Sequence, residues 1–219
     1  MTSREFRSLL NRRAANAKLT VSDDLANRLE QYFQLLARWN AKINLTALPL
    51  DAPTEKTFDR LLIEPLIAAR YVADSARIWL DLGSGGGSPA IPLKIAHPQA
   101  ILTMIEAKGR KAAFLQEAVR TLELPGASVE NARFQDFAAA RELESVDLVT
   151  VRAVRPDPSI LAAIRHVMRP RGHVLLFHSS GGAVPNAAAF KRVKTVELPT
   201  GTDSMLTMLA PVFHVEQKG

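Results

Sequence analysis

Ile78-Trp79-Leu80-Asp81-Leu82-Gly83-Ser84-Gly85-Gly86-Gly87-Ser88-Pro89 is the stretch that decides how this chain reads. An apolar run ends in an acid, breaks into a loop with four glycines and then meets a proline. A strand that runs into a Gly-rich turn and then a helix is how open α/β sheets hold a nucleotide-like cofactor. Glycine admits positive φ and lets a ligand approach the backbone. Pro89 suits the first turn of the helix that follows, where its missing N–H is not needed.

Downstream of this point strands and helices alternate. Strand 77–82 leads to helix 89–97, strand 100–106 to helix 109–123, and strand 127–131 to a short helix near 134–141. Strand 146–151 leads to helix 158–168, strand 173–178 follows, and two more strands fall near 192–198 and 205–213. Such repeats predict a doubly wound, mostly parallel, Rossmann-like α/β sheet covered on both faces. Upstream the pattern is helical. Residues 3–17 form a basic helix, and Ser22-Asp23-Asp24 carries a helix start. Leu25, Leu29, Tyr32, Phe33, Leu36 and Trp39 then recur at helical spacing. A third helix covers 54–73, with Leu61, Leu62 and Leu66 inward and a kink or break at Pro65. The expected division is an N-terminal helical extension over 1–75 packed on a core domain over 76–219.

Composition narrows the function classes. The chain has 219 residues, 47% of them hydrophobic, and no cysteine. Disulfides, thiolate metal sites and cysteine nucleophiles are therefore excluded. No run of about 18 apolar residues suggests a membrane span. A cytoplasmic protein with no membrane partner is expected. The net charge of +6 is uneven: residues 150–219 carry nine basic side chains against four acidic ones. Basic ends around a neutral middle suggest an anionic partner, nucleic acid first. Arg165, Arg169, Arg171, Lys191, Arg192 and Lys194 are candidate phosphate contacts, or simply a solvated face. The five histidines form no metal site: His173 and His178 are five apart on one strand, and His97, His166 and His214 have no near partners.

The glycine loop alone does not name a cofactor. No Gly-x-x-x-x-Gly-Lys-Ser/Thr string occurs, which sets the phosphate-binding P-loop aside. The dinucleotide pattern fails from Gly83 but fits loosely from Gly85 through Gly87 and Ala90, so NAD stays open. Charge discriminates better. A carboxylate at Asp81 repels a pyrophosphate and favours a ligand with an ammonium and a sulfonium, which describes S-adenosylmethionine. Glu106 closes the second strand, where an acid accepts from ribose hydroxyls. The alternative is structural: Asp81 caps the turn and Glu106 the helix after it. A cytosine carbon acceptor needs a cysteine, and none is present. Exocyclic amines commonly use Asp/Asn-Pro-Pro-aromatic after the fourth strand, where this chain has Val151-Arg152-Ala153-Val154-Arg155. Arginine there suits an anionic or guanine-like acceptor.

Trp39-Asn40-x-x-x-Asn44-Leu45-Thr46 precedes Asp81-x-Gly83-Ser84-Gly85-x-Gly87, Pro89 and Ile91-Pro92-Leu93. Glu106-Ala107, Lys111-x-x-Phe114-Leu115, Arg133 and Arg152-Ala153 follow. In that order, from about residue 30 to 180, the chain resembles the bacterial glucose-inhibited division protein B family. The Trp39–Thr46 segment is the specific part. The resemblance implies a class I methyltransferase fold and methylation of a guanine N7 in 16S ribosomal RNA of the small subunit. It implies S-adenosylmethionine as cofactor, with Gly83 and Ser88 against it. Phe134 and Gln135 match the pair flanking the adenine, and Arg152 the arginine at the site's mouth. Three positions depart: Gln135 replaces a glutamate, Ala90 a glycine, and Phe177-His178-Ser179-Ser180-Gly181 stands where Lys-Gly is expected.

The expected cofactor contacts are thus Asp81, Gly83, Gly85, Ser88, Glu106, Phe134, Gln135 and Arg152, with no metal. Guanine N7 attacks through a lone pair, so catalysis is expected by alignment and electrostatic support, without a general base. Arg152 is the candidate donor to guanine O6 or a phosphate. Asn44 either orients the base or caps the helix ending near Trp39. Trp39 itself reads as a core anchor, and the target base as unpaired. A monomer is expected. An NAD-linked oxidoreductase and a cofactor-binding RNA module without catalysis are the competing classes.

Overall fold

The computed structural model describes residues 1–152, 157–182, 189–198 and 203–212. Ala153, Val154, Arg155 and His214, named above, lie outside the described residues. Among the described residues, seven strands form one sheet in the order β3-β2-β1-β4-β5-β7-β6. They are β1 Ile78–Leu82, β2 Ile101–Ile105, β3 Ala127–Glu130, β4 Val146–Arg152, β5 Met168–Ser179, β6 Phe190–Glu197 and β7 Ser204–Pro211. β1 pairs in parallel with β2 and β4, and the parallel run extends to β3 and β5. β7 is antiparallel to both β5 and β6. The strand order reverses between β1 and β4, and an open α/β sheet binds its ligand above such a switch point.

The alternation of side chains along each strand sorts the core into two layers. Trp79, Met104, Leu148, Leu175 and Phe177 belong to one cluster, shared with the N-terminal helices. Leu80, Ile105, Val149, Val151 and Leu176 belong to the other, with α7 (Phe134–Ala139) and α8 (Pro158–Val167). The first layer also holds α5 (Ala90–Ala96) and α6 (Gly109–Thr121). It runs without interruption from Phe6 to Leu206, so the N-terminal helices and the sheet share one core.

Helix α1 (Ser3–Asn16) and α2 (Asp23–Asn40) form as their patterns predict. The Ser22 hydroxyl accepts from the Leu25 N–H at 3.2 Å, the bond an N-cap makes. Phe6, Phe33 and Phe58 meet with ring centroids 5.0–5.6 Å apart, joining α1 and α2 to α3 (Glu55–Phe58). The helix expected over 54–73 runs from Glu55 to Ala69 with no break at Pro65, but its register changes on the way. After α3 comes a π-helical turn, Asp59–Ile63, and then α4, Glu64–Ala69. A buried fork-to-fork pair holds that turn: Arg13 donates to Asp59 through Nε at 2.8 Å and Nη2 at 2.7 Å. Pro89 stands one residue earlier than expected, as the N-cap of α5.

Candidate functional site

The site starts from the parity of two neighbouring strands. Asp81 on β1 is registered with Thr150 on β4, and Arg152 lies two residues further on. Asp81 shares its face with Trp79, and Thr150 and Arg152 share theirs with Leu148, so all three belong to the layer under the N-terminal helices. Asp81 is 1% exposed. The Thr150 hydroxyl donates to its Oδ1, while Oδ2 is buried with no hydrogen-bond partner among the described residues. Burial pushes the Asp81 carboxyl up to about 6, against the opposing pull of Ser84, Thr150 and Arg152.

Above Asp81 the glycine loop is pinned from three directions. Gly83 and Ser84 donate their N–H groups to the Ile105 carbonyl at 2.8 and 3.2 Å. Gly85 donates to Glu106 Oε2 at 2.9 Å, and Lys108 N donates to Oε1 at 2.8 Å. The Tyr32 hydroxyl, carried by α2, donates to the Gly86 carbonyl at 2.7 Å. Gly87 has φ +84°, a backbone conformation that strains any residue with a Cβ and so favours glycine.

The opposite wall is built around Arg152. Its Nη1 donates to the Arg60 carbonyl and to Ser88 Oγ, the latter at 3.2 Å. Its Nη2 donates to Glu64 Oε2 at 2.8 Å. Phe177, its cross-strand neighbour, lies under the guanidinium at 4.2 Å. Burial lowers the Arg152 guanidinium to about 10, with Glu64 opposing, so it stays charged at neutral pH. Ser88 donates onward to the Leu61 carbonyl at 2.9 Å.

Between these walls lies a cavity of about 490 Å³. Gly83, Gly85, Ser88, Glu106 and Arg152, all expected at the site, line it. Asp81 lies buried beneath the loop and is not among its lining residues. Phe134 is buried in the layer on the other side of the sheet. Gln135 is exposed, and its amide nitrogen lies 3.3 Å from Ser159 Oγ. Asn44 is exposed and outside the cavity. The side chain that fixes its segment is Asn40, whose Oδ1 accepts from Leu45 N at 2.9 Å and Thr46 N at 3.0 Å. Trp39 packs edge-on against Phe114 with centroids 5.8 Å apart, as a core anchor would.

The residues fit a nucleoside sulfonium. The buried, unpartnered Asp81 oxygen is a carboxylate placed to attract a cation. Each Glu106 oxygen already accepts one N–H, yet a carboxylate offers about four acceptor positions, leaving room for ribose hydroxyls. A Cβ at Gly85 would meet only the Gly83 carbonyl, at 3.6 Å, so that side of the loop is open.

Several lining residues went unread in the sequence. Lys56, Arg60 and Lys111 bring positive charge to the cavity, and Thr46 to Leu48 contribute part of its wall. Glu64 and Tyr32 stand behind it. Lys111 had a signal, as part of the Lys111-x-x-Phe114-Leu115 motif. Glu64 had only one: an acid beside Pro65 in an otherwise apolar stretch.

A family model described as rRNA small subunit methyltransferase G matches residues 25–195. The ribosomal RNA small subunit methyltransferase G of Xanthomonas oryzae is 36% identical over 178 residues, covering 78% of this chain and 79% of that protein. Its counterpart from Stenotrophomonas maltophilia is 33% identical over 204 residues, covering 89% and 92%. Among solved structures, a SAM-dependent methyltransferase from Aquifex aeolicus superposes with a TM-score of 0.57 at 14% identity, covering 80% of this chain and 97% of that one. A putative methyltransferase from Escherichia coli gives 0.57 at 13%, over 69% and 88%. At such identities the structural likeness concerns the fold.

Proposed function

The chain belongs to the GidB family, rRNA small subunit methyltransferase G, and on that premise we propose that it methylates the N7 of a guanine in 16S ribosomal RNA, using S-adenosylmethionine. The observation that carries the reading is the contrast across the cavity: carboxylates at the glycine loop, and a partly buried, ion-paired arginine on the opposite wall. A pyrophosphate cofactor such as NAD would have to sit over the unpartnered Asp81 oxygen, which disfavours it.

S-adenosylmethionine supplies, when bound, an electrophilic methyl group on sulfur. The chain's residues then divide the work. Asp81 would supply negative potential under the loop, and Glu106 would accept from the ribose hydroxyls. Gly83 and Gly85 would let the backbone approach the bound cofactor, whereas Phe134 and Gln135, expected beside the adenine, do not line the cavity. Guanine N7 holds its lone pair in the ring plane, so no residue has to take a proton. Alignment and a donor near O6 are what the site must provide. Arg152 is that donor: it lines the cavity, and three hydrogen bonds hold its guanidinium still. The other cations of the cavity, Lys56, Arg60 and Lys111, suit RNA phosphates.

The test uses small subunits from a strain that lacks the activity. Labelled methyl groups from S-adenosylmethionine are expected in 16S RNA, at a guanine made cleavable by borohydride and aniline, as N7-methylguanine is. S-adenosylhomocysteine raises the melting temperature and NADH does not. Label at another atom, no label, or stabilisation by NADH alone would overturn the proposal. RNA binding without transfer would favour a non-catalytic module.

A further inference from the structure

We infer that Glu64, together with the π-helical turn it closes, is a positioning residue that holds Arg152 at the acceptor side of the cavity; the inference rests on the methyltransferase reading above. Glu64 is fully buried. A buried carboxylate needs a charged partner, since an unpaired one is strongly disfavoured. Arg152 Nη2 provides it at 2.8 Å, and Arg60 Nη1 stands at 3.5 Å. Arg60 also donates to Ser204 Oγ at the start of β7.

The turn itself explains where the remaining acceptors come from. The Glu64 N–H donates five residues back, to the Asp59 carbonyl, instead of four back to Arg60. The next residue that could serve Arg60 in that wider register, or Leu61 in the ordinary one, is Pro65, which has no N–H. Two helix carbonyls are therefore left for other donors. Arg152 and Ser88 take them: Nη1 donates to the Arg60 carbonyl, and the Ser88 hydroxyl donates to that of Leu61 at 2.9 Å. Glu64 and Pro65 thus act as a pair. One supplies the counter-charge for the guanidinium, and the other frees the carbonyls that fix its direction. Phe177 closes the remaining face at 4.2 Å. With all these contacts made, the guanidinium is held in one orientation at the cavity wall.

The test is E64Q in the full-length protein, which keeps the shape and one acceptor oxygen but removes the charge. Turnover on small subunits is expected to fall about 10- to 100-fold, the range that misplacing a catalytic group produces. Affinity for S-adenosylhomocysteine should stay within about threefold by calorimetry, a split that general loosening of the fold would not give. E64D should recover part of the rate. In an R152A background E64Q should cost less than a further twofold, because its effect passes through Arg152. Turnover of E64Q within twofold of wild type, or losses that multiply with R152A, would overturn the inference. If E64Q does not fold, P65A decides: it keeps every charge but restores an N–H that competes for the carbonyls. A 3- to 10-fold loss of turnover at unchanged cofactor affinity is expected, and no loss overturns the inference. If wild-type protein transfers no methyl group to RNA, the parent reading falls and takes this one with it. If wild type transfers and both variants match it, this inference alone fails.

Discussion

The two walls of the cavity are built in opposite ways. The glycine-loop wall comes from short, nearly contiguous pieces: residues 81–87 on one strand end and 105–108 on the next. It is acidic, and it leaves a buried Asp81 oxygen unpartnered. The Arg152 wall joins partners 64 to 92 positions apart in the chain. Its charges are paired with one another, Glu64 with Arg152 and Arg60, although Glu64 Oε1 and Arg152 Nε have no hydrogen-bond partner among the described residues. A wall with an unmet carboxylate stores attraction for a cationic ligand. A wall with its donor held in place offers preorganisation, which is what a developing charge on the acceptor requires. If this division is right, variants of the first wall change cofactor affinity and variants of the second change turnover.

The sharpest way to break it is D81N. Affinity for S-adenosylmethionine should fall at least about 100-fold in a calorimetric titration, as expected when a buried charge partner is removed. The free protein should become more stable. In the folded state the carboxyl is raised from 3.8 to about 6, so between those values the folded chain binds the extra proton. Stability of the wild type therefore rises as pH falls from about 6 toward 4, and the penalty is fully present above 6. Removing the charge should add about 1–3 kcal/mol at pH 7.5, since each tenfold change in a protonation equilibrium is worth about 1.4 kcal/mol. Thermal melts of the free proteins at pH 7.5 and pH 4.5 read the difference, which should shrink at the lower pH. A D81N protein that binds S-adenosylmethionine normally and melts lower would make Asp81 a turn cap and nothing more.

R152A tests the other wall. Turnover should drop about 100-fold, a size typical of losing one preorganised donor. Cofactor affinity should change by less than about fivefold. The variant also strands Glu64 as a buried charge, so its stability should fall by about 3–5 kcal/mol. R152K keeps a charge for Glu64 but not the fork that reaches Arg60 and Ser88. It should recover stability more than turnover. An R152A protein that loses S-adenosylhomocysteine instead of turnover would merge the walls into one.

This asymmetry also explains what was legible in the sequence. Strand and helix alternation, the Ser22 cap and the glycine loop are local patterns, and most elements form within a few residues of their expected limits, although β5 starts at Met168, ahead of the expected 173. Gly83, Gly85, Ser88, Glu106 and Arg152 were readable because motif residues at strand ends are brought together by the sheet's own register. Asn44 reads as a site residue because it sits inside a motif. The motif's local bonds are made by Asn40, and no periodicity separates two asparagines in a loop. Glu64 was out of reach for a different reason. Its meaning depends on a register change in the helix before it and on an arginine 88 positions away. Pro65 was visible as a helix breaker, but that the helix instead continues through it, after a wide turn that leaves two carbonyls for other donors, is a tertiary fact.

The smallest expected effect is the most direct probe of whether the walls are independent. Tyr32 belongs to the N-terminal helices, yet its hydroxyl donates to Gly86 in the cofactor loop at 2.7 Å. Burial pushes the phenol up, so it remains a donor throughout the working range. Y32F removes that bond and little else. Gly86 is only partly buried and lines the cavity, so water can replace the lost donor. The net cost should be about 1 kcal/mol in stability, read from denaturant unfolding. Loosening the loop should weaken S-adenosylhomocysteine binding by a few fold while leaving turnover at saturating cofactor unchanged. That outcome would keep Tyr32 on the cofactor side despite its place in the helical region. A fall in saturated turnover would show instead that α2 transmits strain between the walls. In that case Y32F and E64Q should interact in a double-mutant cycle by more than about 0.5 kcal/mol, where independent walls would give additive effects.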